Sequence, residues 1–324
     1  MSKYCKKMIH IEDENTLSID GGASSSSVAS SRSGSAPRTR SSESATGCED
    51  TADNRVKTPR LRFAQTIKVG SCNCGRLTFT TWELCHELGM DVLVLTETHD
   101  NGSLPANRHI ITAEPAPEND SYSGMAIMLS ERISKCVVHS GRLGSRIAFV
   151  EIKASPCNLF VIGVYSPHSS RKQPPYMADT VAQLDQLLSQ VKSSICTIVL
   201  GDLNCKLGRN IGRLTGKWCI HKRPNAGGVK LIELLRKFNL SAVSTFFQPG
   251  KHKNSPRRSN ATYLKKDPIY KPSQIDYAIV SKRWASSIRS CKVKWGIACQ
   301  RWGRHYHLGM IECVLKTCTC RIKR

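Results

Sequence analysis

The sequence predicts an α/β fold in which two β-sheets pack on each other with helices outside. Three observations carry that prediction. Short apolar runs recur from residue 61 onward, several of them follow one another with no helix between, and only occasional segments space their apolar residues helically. A strictly alternating parallel sheet would need a helical pattern between every pair of strands.

Taken in order, Ile67-Lys68-Val69 reads as a strand, residues 78–88 as an amphipathic helix and residues 91–95 as a buried strand. Further apolar runs at 125–129, 147–152 and 159–164 read as strands. A helix over about 175–191 leads into the strand Ile195-Cys196-Thr197-Ile198-Val199-Leu200. Helical spacing returns at 229–238 (Val229, Leu231, Ile232, Leu234, Leu235, Phe238) and is followed by a short strand over 240–246. Late strands are expected at 275–280 and 309–315. No internal repeat is evident.

Before residue 61 the pattern is absent. Residues 21–46 are dominated by Ser, Ala, Gly and Arg, which cannot bury enough surface to offset their ordering entropy. The chain is therefore divided into a disordered Ser-rich segment 1–60, a folded domain 61–317 and a basic tail 318–324. Of 48 Lys and Arg against 25 Asp and Glu in 324 residues, 39 and 17 fall in residues 61–324. The positive charge thus sits on the part expected to fold, which points to a polyanionic partner, nucleic acid or an anionic membrane surface, with a merely soluble basic protein as the plain alternative.

Fifteen cysteines suggest a secreted disulfide scaffold at first sight, yet that class consists of small chains. Met1 to Asp20 carries Lys3, Lys6, Lys7, Glu12, Asp13 and Glu14 without an apolar core, and no run approaches a membrane span. Reduced thiols in the nucleus or cytoplasm are expected instead of secretion. The C-x-C pairs Cys72/Cys74 and Cys318/Cys320 lack the usual spacing of structural zinc ligands.

Polar residues cluster at strand ends. Asn73 follows the first strand, Glu97 the strand ending at Leu95, and Tyr165 the run ending at Val164; Asp202 and Asn204 follow Leu200 in Gly201-Asp202-Leu203-Asn204, and Asp276 lies in Gln274-Ile275-Asp276-Tyr277. Each taken singly reads as a cap, a turn or a core-edge tyrosine. Together they would meet on one rim of a two-sheet sandwich. Several carboxylates on one rim are costly unless a cation neutralises them, and hard oxygen ligands point to Mg²⁺ or Mn²⁺.

The ordered motifs Ser71-Cys72-Asn73, Leu95-Thr96-Glu97-Thr98-His99, Val164-Tyr165-Ser166-Pro167, Gly201-Asp202-Leu203-Asn204 and Gln274-Ile275-Asp276-Tyr277 resemble the endonuclease/exonuclease/phosphatase superfamily. Their wording is most similar to the endonuclease domains of non-LTR retrotransposons and their craniofacial development protein 2-like relatives; Asn225 to Gly228 and Ala261-Thr262-Tyr263 also resemble that branch. The resemblance spans about residues 61–315. It implies a DNase I-like, four-layer α/β sandwich of two packed, mainly antiparallel β-sheets flanked by helices, and a metal-dependent DNA endonuclease. In that scheme Glu97, with Asn73 beside it, binds Mg²⁺ or Mn²⁺, and Asp202 orients and deprotonates the attacking water. Asn204 and Tyr165 hydrogen-bond the phosphate, Asp276 holds a histidine at the phosphate, and Thr262 and Tyr263 lie near the duplex. DNA is the implied partner, with no membrane and no small organic cofactor; the oligomeric state stays open.

The histidine marks a departure. Family members close with an Asp-His pair before the last core strand, whereas this chain reads Arg304-His305-Tyr306-His307-Leu308-Gly309. If His307 matches the family histidine, Tyr306 replaces the acid. If Gly309 sets the register, His307 stands at the Asp and Leu308 at the His. An active endonuclease, a non-catalytic nucleic-acid-binding remnant and a small-molecule phosphatase or phosphodiesterase of the same fold therefore remain as functional classes.

Overall fold

The computed structural model describes residues 58–62, 66–77, 83, 86–99, 109–115, 124–167, 175–249, 260–265, 269, 271–295 and 306–316, all within a unit from Thr58 to Arg324. In chain order the strands are β1 (Leu61–Arg62), β2 (Ile67–Asn73), β3 (Val92–Thr96), β4 (Ile110–Thr112), β5 (Met125–Leu129), β6 (Val137–Leu143), β7 (Ile147–Ile152), β8 (Ala154–Ser155), β9 (Leu159–Tyr165), β10 (Cys196–Asp202), β11 (Leu240–Ala242), β12 (Tyr263–Lys265), β13 (Asp276–Ser281), β14 (Ile288–Lys294), β15 (Tyr306–Leu308) and β16 (Met310–Leu315). The α-helices are α1 (Glu131–Ser134), α2 (Pro175–Gln190) and α3 (Ala226–Lys237).

Two six-stranded sheets result. The first runs β14-β16-β2-β3-β5-β4 and the second β11-β13-β10-β9-β7-β6. Pairing is antiparallel except for β2 with β3 and β9 with β10. The two sheets face each other over one core, to which the first contributes Val94 and Ile127 and the second Val161 and Ile198. Alternation along each strand sends the intervening residues outward: Ile162, Val199 and Ile279 pack with Leu184 and Leu188 of α2 and Leu231 and Leu235 of α3. On the outer face of the first sheet Leu93, Leu95 and Met128 pack with Leu77 and Leu88. The sheets approach closely at Gly163, where an added Cβ would lie 2.8 Å from the sulfur of Met125 and 3.0 Å from a Val94 methyl.

The α/β sandwich expected from the sequence is the one observed. Strands 125–129 and 147–152 have the expected bounds, while α3 starts at Ala226 rather than 229, because Asn225 caps it by accepting the Gly228 N–H at 2.9 Å. The strand expected over 240–246 is shorter. β11 ends at Ala242 and residues 243–245 form a 3₁₀ turn, in which the Thr245 hydroxyl donates to the Ala242 carbonyl at 2.6 Å and accepts the Gly216 N–H at 2.7 Å. Short hydroxyl side chains that bond nearby backbone compete with the ladder in this way. Within the helix expected over 78–88, only residues 83, 86 and 87 are described as helical; most of the expected segment 1–60 and the whole of the tail 318–324 lie outside the described residues.

Candidate active site

β9, β10 and β13 end or begin at the same level. Asp202, the last residue of β10, is the Cα partner of Tyr165 at the end of β9 on one side and of Asp276 at the start of β13 on the other. Period-2 alternation then fixes their direction. Leu200, Val161 and Ala278 belong to the core between the sheets, so Asp202, Tyr165 and Asp276, each an even number of residues away, project into the same layer at its rim. Asn73 comes from the opposite sheet by the same logic, since Ile67 and Val69 of β2 face that core. All four are buried, at 4% (Asp202), 5% (Asp276), 5% (Tyr165) and 7% (Asn73) exposure.

Glu97 follows β3 and joins the two halves. The Tyr165 hydroxyl donates to Glu97 Oε1 at 3.4 Å, and the Asn73 side chain also hydrogen-bonds the Glu97 carboxylate. Asn73 Oδ1 itself accepts the Gly75 N–H at 3.0 Å. Beyond β10, the backbone N–H of Asn204 donates to Asp202 Oδ1 at 2.9 Å and its Nδ2 donates to the Ser166 carbonyl at 2.7 Å. Glu97 (φ 54°) and Asn204 (φ 44°) both occupy the left-handed region that side chains disfavour. Such backbone persists where surrounding structure holds it, and functional sites are where it concentrates.

The electrostatics of the rim are unfavourable to its own charge. Burial, and then the neighbouring Asp276 charge, push the Asp202 carboxyl well above the usual carboxylate range. Asp276 rises to about 7 through burial, with the Glu97 charge adding to the rise and a hydrogen bond from the Thr262 hydroxyl opposing it. Glu97 is also raised by burial, against the lowering influence of Asn73, the His99 charge and Tyr165. No three His, Cys, Asp or Glu side chains converge into a metal-binding group among the described residues. Glu97 and Asn73 nevertheless form a two-residue, all-oxygen donor set facing an excess of carboxylate. That suits a hydrated Mg²⁺ or Mn²⁺, since Mg²⁺ keeps several of its waters in protein sites.

A pH dependence follows. Raised carboxyl groups bind protons more tightly in the folded than in the unfolded state. Their stabilisation is therefore complete at low pH and is lost as pH rises through the folded values, about 7 for Asp276. In EDTA the Tm is expected to fall between about pH 5.5 and about pH 8, and Mg²⁺ is expected to restore more of it at the higher pH. Differential scanning fluorimetry checks this; a Tm that climbs steadily over the window in EDTA would contradict it.

The remaining expected residues are placed as follows. Thr262 is fully buried, its Oγ1 accepting the N–H groups of Ile275 at 3.2 Å and Asp276 at 3.1 Å, and its side chain also hydrogen-bonds the Asp276 carboxyl. Tyr263 begins β12 and is half-buried. His307 lies in β15 opposite Leu264, one pair along from Tyr263 and Leu308; the side chains of β15 and the whole of His305 lie outside the described residues. Sequence reasoning did not single out Arg146, which is buried with its guanidinium 5.4 Å from the Tyr165 ring centroid, or His99, whose charge acts on Glu97. Only the adjacency of His99 to Glu97 in the Glu97-Thr98-His99 motif offered a signal.

Residues 70–291 match the sequence profile of the Endonuclease/Exonuclease/phosphatase family. Craniofacial development protein 2 of Bos taurus is 28% identical over 242 residues, covering 72% of this chain and 38% of the relative, so the chain spans less than two fifths of that protein's length. The endonuclease domain of a telomere-specific non-LTR retrotransposon superposes with a TM-score of 0.51 at 13% identity, over 78% of this chain and 99% of that one. A 3′ phosphatase from Neisseria bound to a product DNA hairpin gives 0.52 at 15% identity, over 78% and 100%. At such identities the structures share the fold of this chain.

Proposed function

Because this chain belongs to the endonuclease/exonuclease/phosphatase family, we propose that it is a divalent-metal-dependent phosphodiester hydrolase of retrotransposon origin that nicks DNA, leaving 3′-hydroxyl and 5′-phosphate ends. The carrying observation is the shared register level of Tyr165, Asp202 and Asp276, with Glu97 and Asn73 across the same rim. Asp202, held through Oδ1 by the Asn204 N–H, orients water and takes its proton. The Asn204 amide, and the Tyr165 hydroxyl once its single proton turns away from Glu97, donate to a non-bridging phosphate oxygen as negative charge grows there. Asp276, held by Thr262, orients His307 so that its imidazole meets the phosphate. Glu97 and Asn73 would hold Mg²⁺ or Mn²⁺, which when bound would supply Lewis-acid polarisation of the phosphate and charge stabilisation at the leaving 3′ oxygen.

DNA is the proposed substrate because 39 Lys and Arg against 17 Asp and Glu fall in residues 61–324, which favours a long polyanion over a small ester. Residues 61–317 are the proposed catalytic domain, acting in the nucleus or cytoplasm. A second reading, a DNA-binding remnant without catalysis, is favoured by Tyr306-His307-Leu308 standing where the family carries Asp-His. Supercoiled plasmid separates the two. The enzyme converts it to open circles with Mg²⁺ or Mn²⁺ and not with EDTA, whereas the remnant binds DNA and nicks nothing under any condition. His307→Ala is expected to slow nicking by about 10²-fold or more if His307 fills the histidine position, and to change it little if Leu308 occupies that position.

A further inference from the structure

Between Leu203 and Ile232 the chain carries seven Lys and Arg and no Asp or Glu. This stretch leaves β10 at the Asp202 rim and leads into α3. Lys206, Arg209, Lys222 and Arg223 are all exposed, and none is ion-paired among the described residues.

The stretch is folded back on itself, which gathers these charges. Asn225 Oδ1 accepts the N–H of Lys206 at 3.0 Å while it also caps α3, and the Asn225 N–H donates to the Lys206 carbonyl at 3.1 Å. The Arg209 N–H donates to the His221 carbonyl at 3.0 Å, and its guanidinium donates to the carbonyls of Cys219 and Ile220 at 3.1 and 3.0 Å. Burial pushes the His221 imidazole below its ordinary value, against a hydrogen bond with the Gln274 backbone, and the Lys206 and Arg209 charges add to the lowering.

The far end of the fold-back is tied to the site. The Ile220 N–H donates to Gln274 Oε1 at 3.4 Å, and the Gln274 N–H donates to His221 Nε2 at 3.1 Å. Gln274 is two residues before Asp276. The basic stretch is therefore anchored at one end four residues beyond Asp202 and at the other beside the start of β13.

We propose that Lys206, Arg209, Lys222 and Arg223 form a phosphate-binding track, on the second-sheet side of the rim, for backbone phosphates of duplex DNA flanking the one at Asp202. Four cations with no ion-pair partner among the described residues sit on a loop whose backbone is already held by hydrogen bonds, so binding a charged strand need not order that backbone. They give the site a reason to prefer a polymer to a lone phosphate ester. The identity of the bond cleaved rests on the proposed hydrolase reading; the track itself is a matter of binding.

The test is duplex binding by fluorescence anisotropy across a salt series, using the full chain in EDTA so that no cleavage intervenes. The triple variant Lys206→Ala/Lys222→Ala/Arg223→Ala removes exposed side chains and keeps the backbone bonds to Asn225. Its control, Lys192→Ala/Arg283→Ala/Lys316→Ala, removes three exposed cations, Lys192 just before the start of β10, Arg283 just after the end of β13 and Lys316 just after the end of β16. The track variant is expected to make the slope of log K against log salt shallower by about 2 to 3, and the control by less than about 1. Equal changes in both, or no change in either, would overturn the track. A wild type that nicks nothing, with the difference in slopes intact, refutes the hydrolase reading and leaves the track standing.

Discussion

Asp202→Asn is expected to abolish plasmid nicking while raising the Tm above neutral pH. The rate should drop by about 10²-fold to 10⁴-fold, the usual contribution of a positioned proton acceptor, because an amide cannot take the proton from water. The amide oxygen still accepts the Asn204 N–H, so the turn after β10 is kept. What disappears is a buried carboxylate pressed against Asp276, whose charge helps to push the Asp202 carboxyl upward. Lower activity joined to higher stability is a combination that damage to the fold cannot produce. Plasmid nicking and a thermal melt at about pH 8 read the two halves separately; retained nicking would remove Asp202 from the chemistry.

Gly201→Ala is expected to be the most destabilising single methyl in the site, costing about 4 kcal/mol or more in urea denaturation. Gly201 has φ 138°, and its added Cβ would fall 1.9 Å from the Val164 carbonyl oxygen on the neighbouring strand. Neither atom is the end of a flexible side chain. Relief would require β9 and β10 to separate at the rung just before the Tyr165–Asp202 pair. A loss below about 1 kcal/mol would mean that the strands part there with ease and that the rim is less rigid than described.

The central strands were legible because burial on both faces writes itself as an unbroken apolar run: Ile198-Val199-Leu200 in β10 and Phe160-Val161-Ile162 in β9 serve two cores at once. The strands that escaped sequence reasoning are edges. β4 and β14 bound the first sheet and β6 one side of the second, and their residues are mixed, as in Val138-His139-Ser140-Gly141-Arg142. An edge strand needs only one apolar face and often carries charge against unwanted pairing, so it leaves no run to find. Asp202 and Asp276 were visible as acids at strand ends, but their adjacency was not, since it depends on pairing between residues 74 apart in sequence. The support given by Thr262 and the guanidinium of Arg146 over Tyr165 follow from tertiary packing alone.

Three side chains on one rung of neighbouring strands turn the hydrogen-bond ladder into a ruler. Adjacent strands stand about 4.8 Å apart, so Tyr165, Asp202 and Asp276 divide a span of about 10 Å into two equal steps. That span is set by backbone pairing and is indifferent to which side chains stand on it. Substitution can therefore change what the rung presents, or silence it, without changing its gauge, and a copy that had lost its chemistry would still hold these three positions at the same spacing.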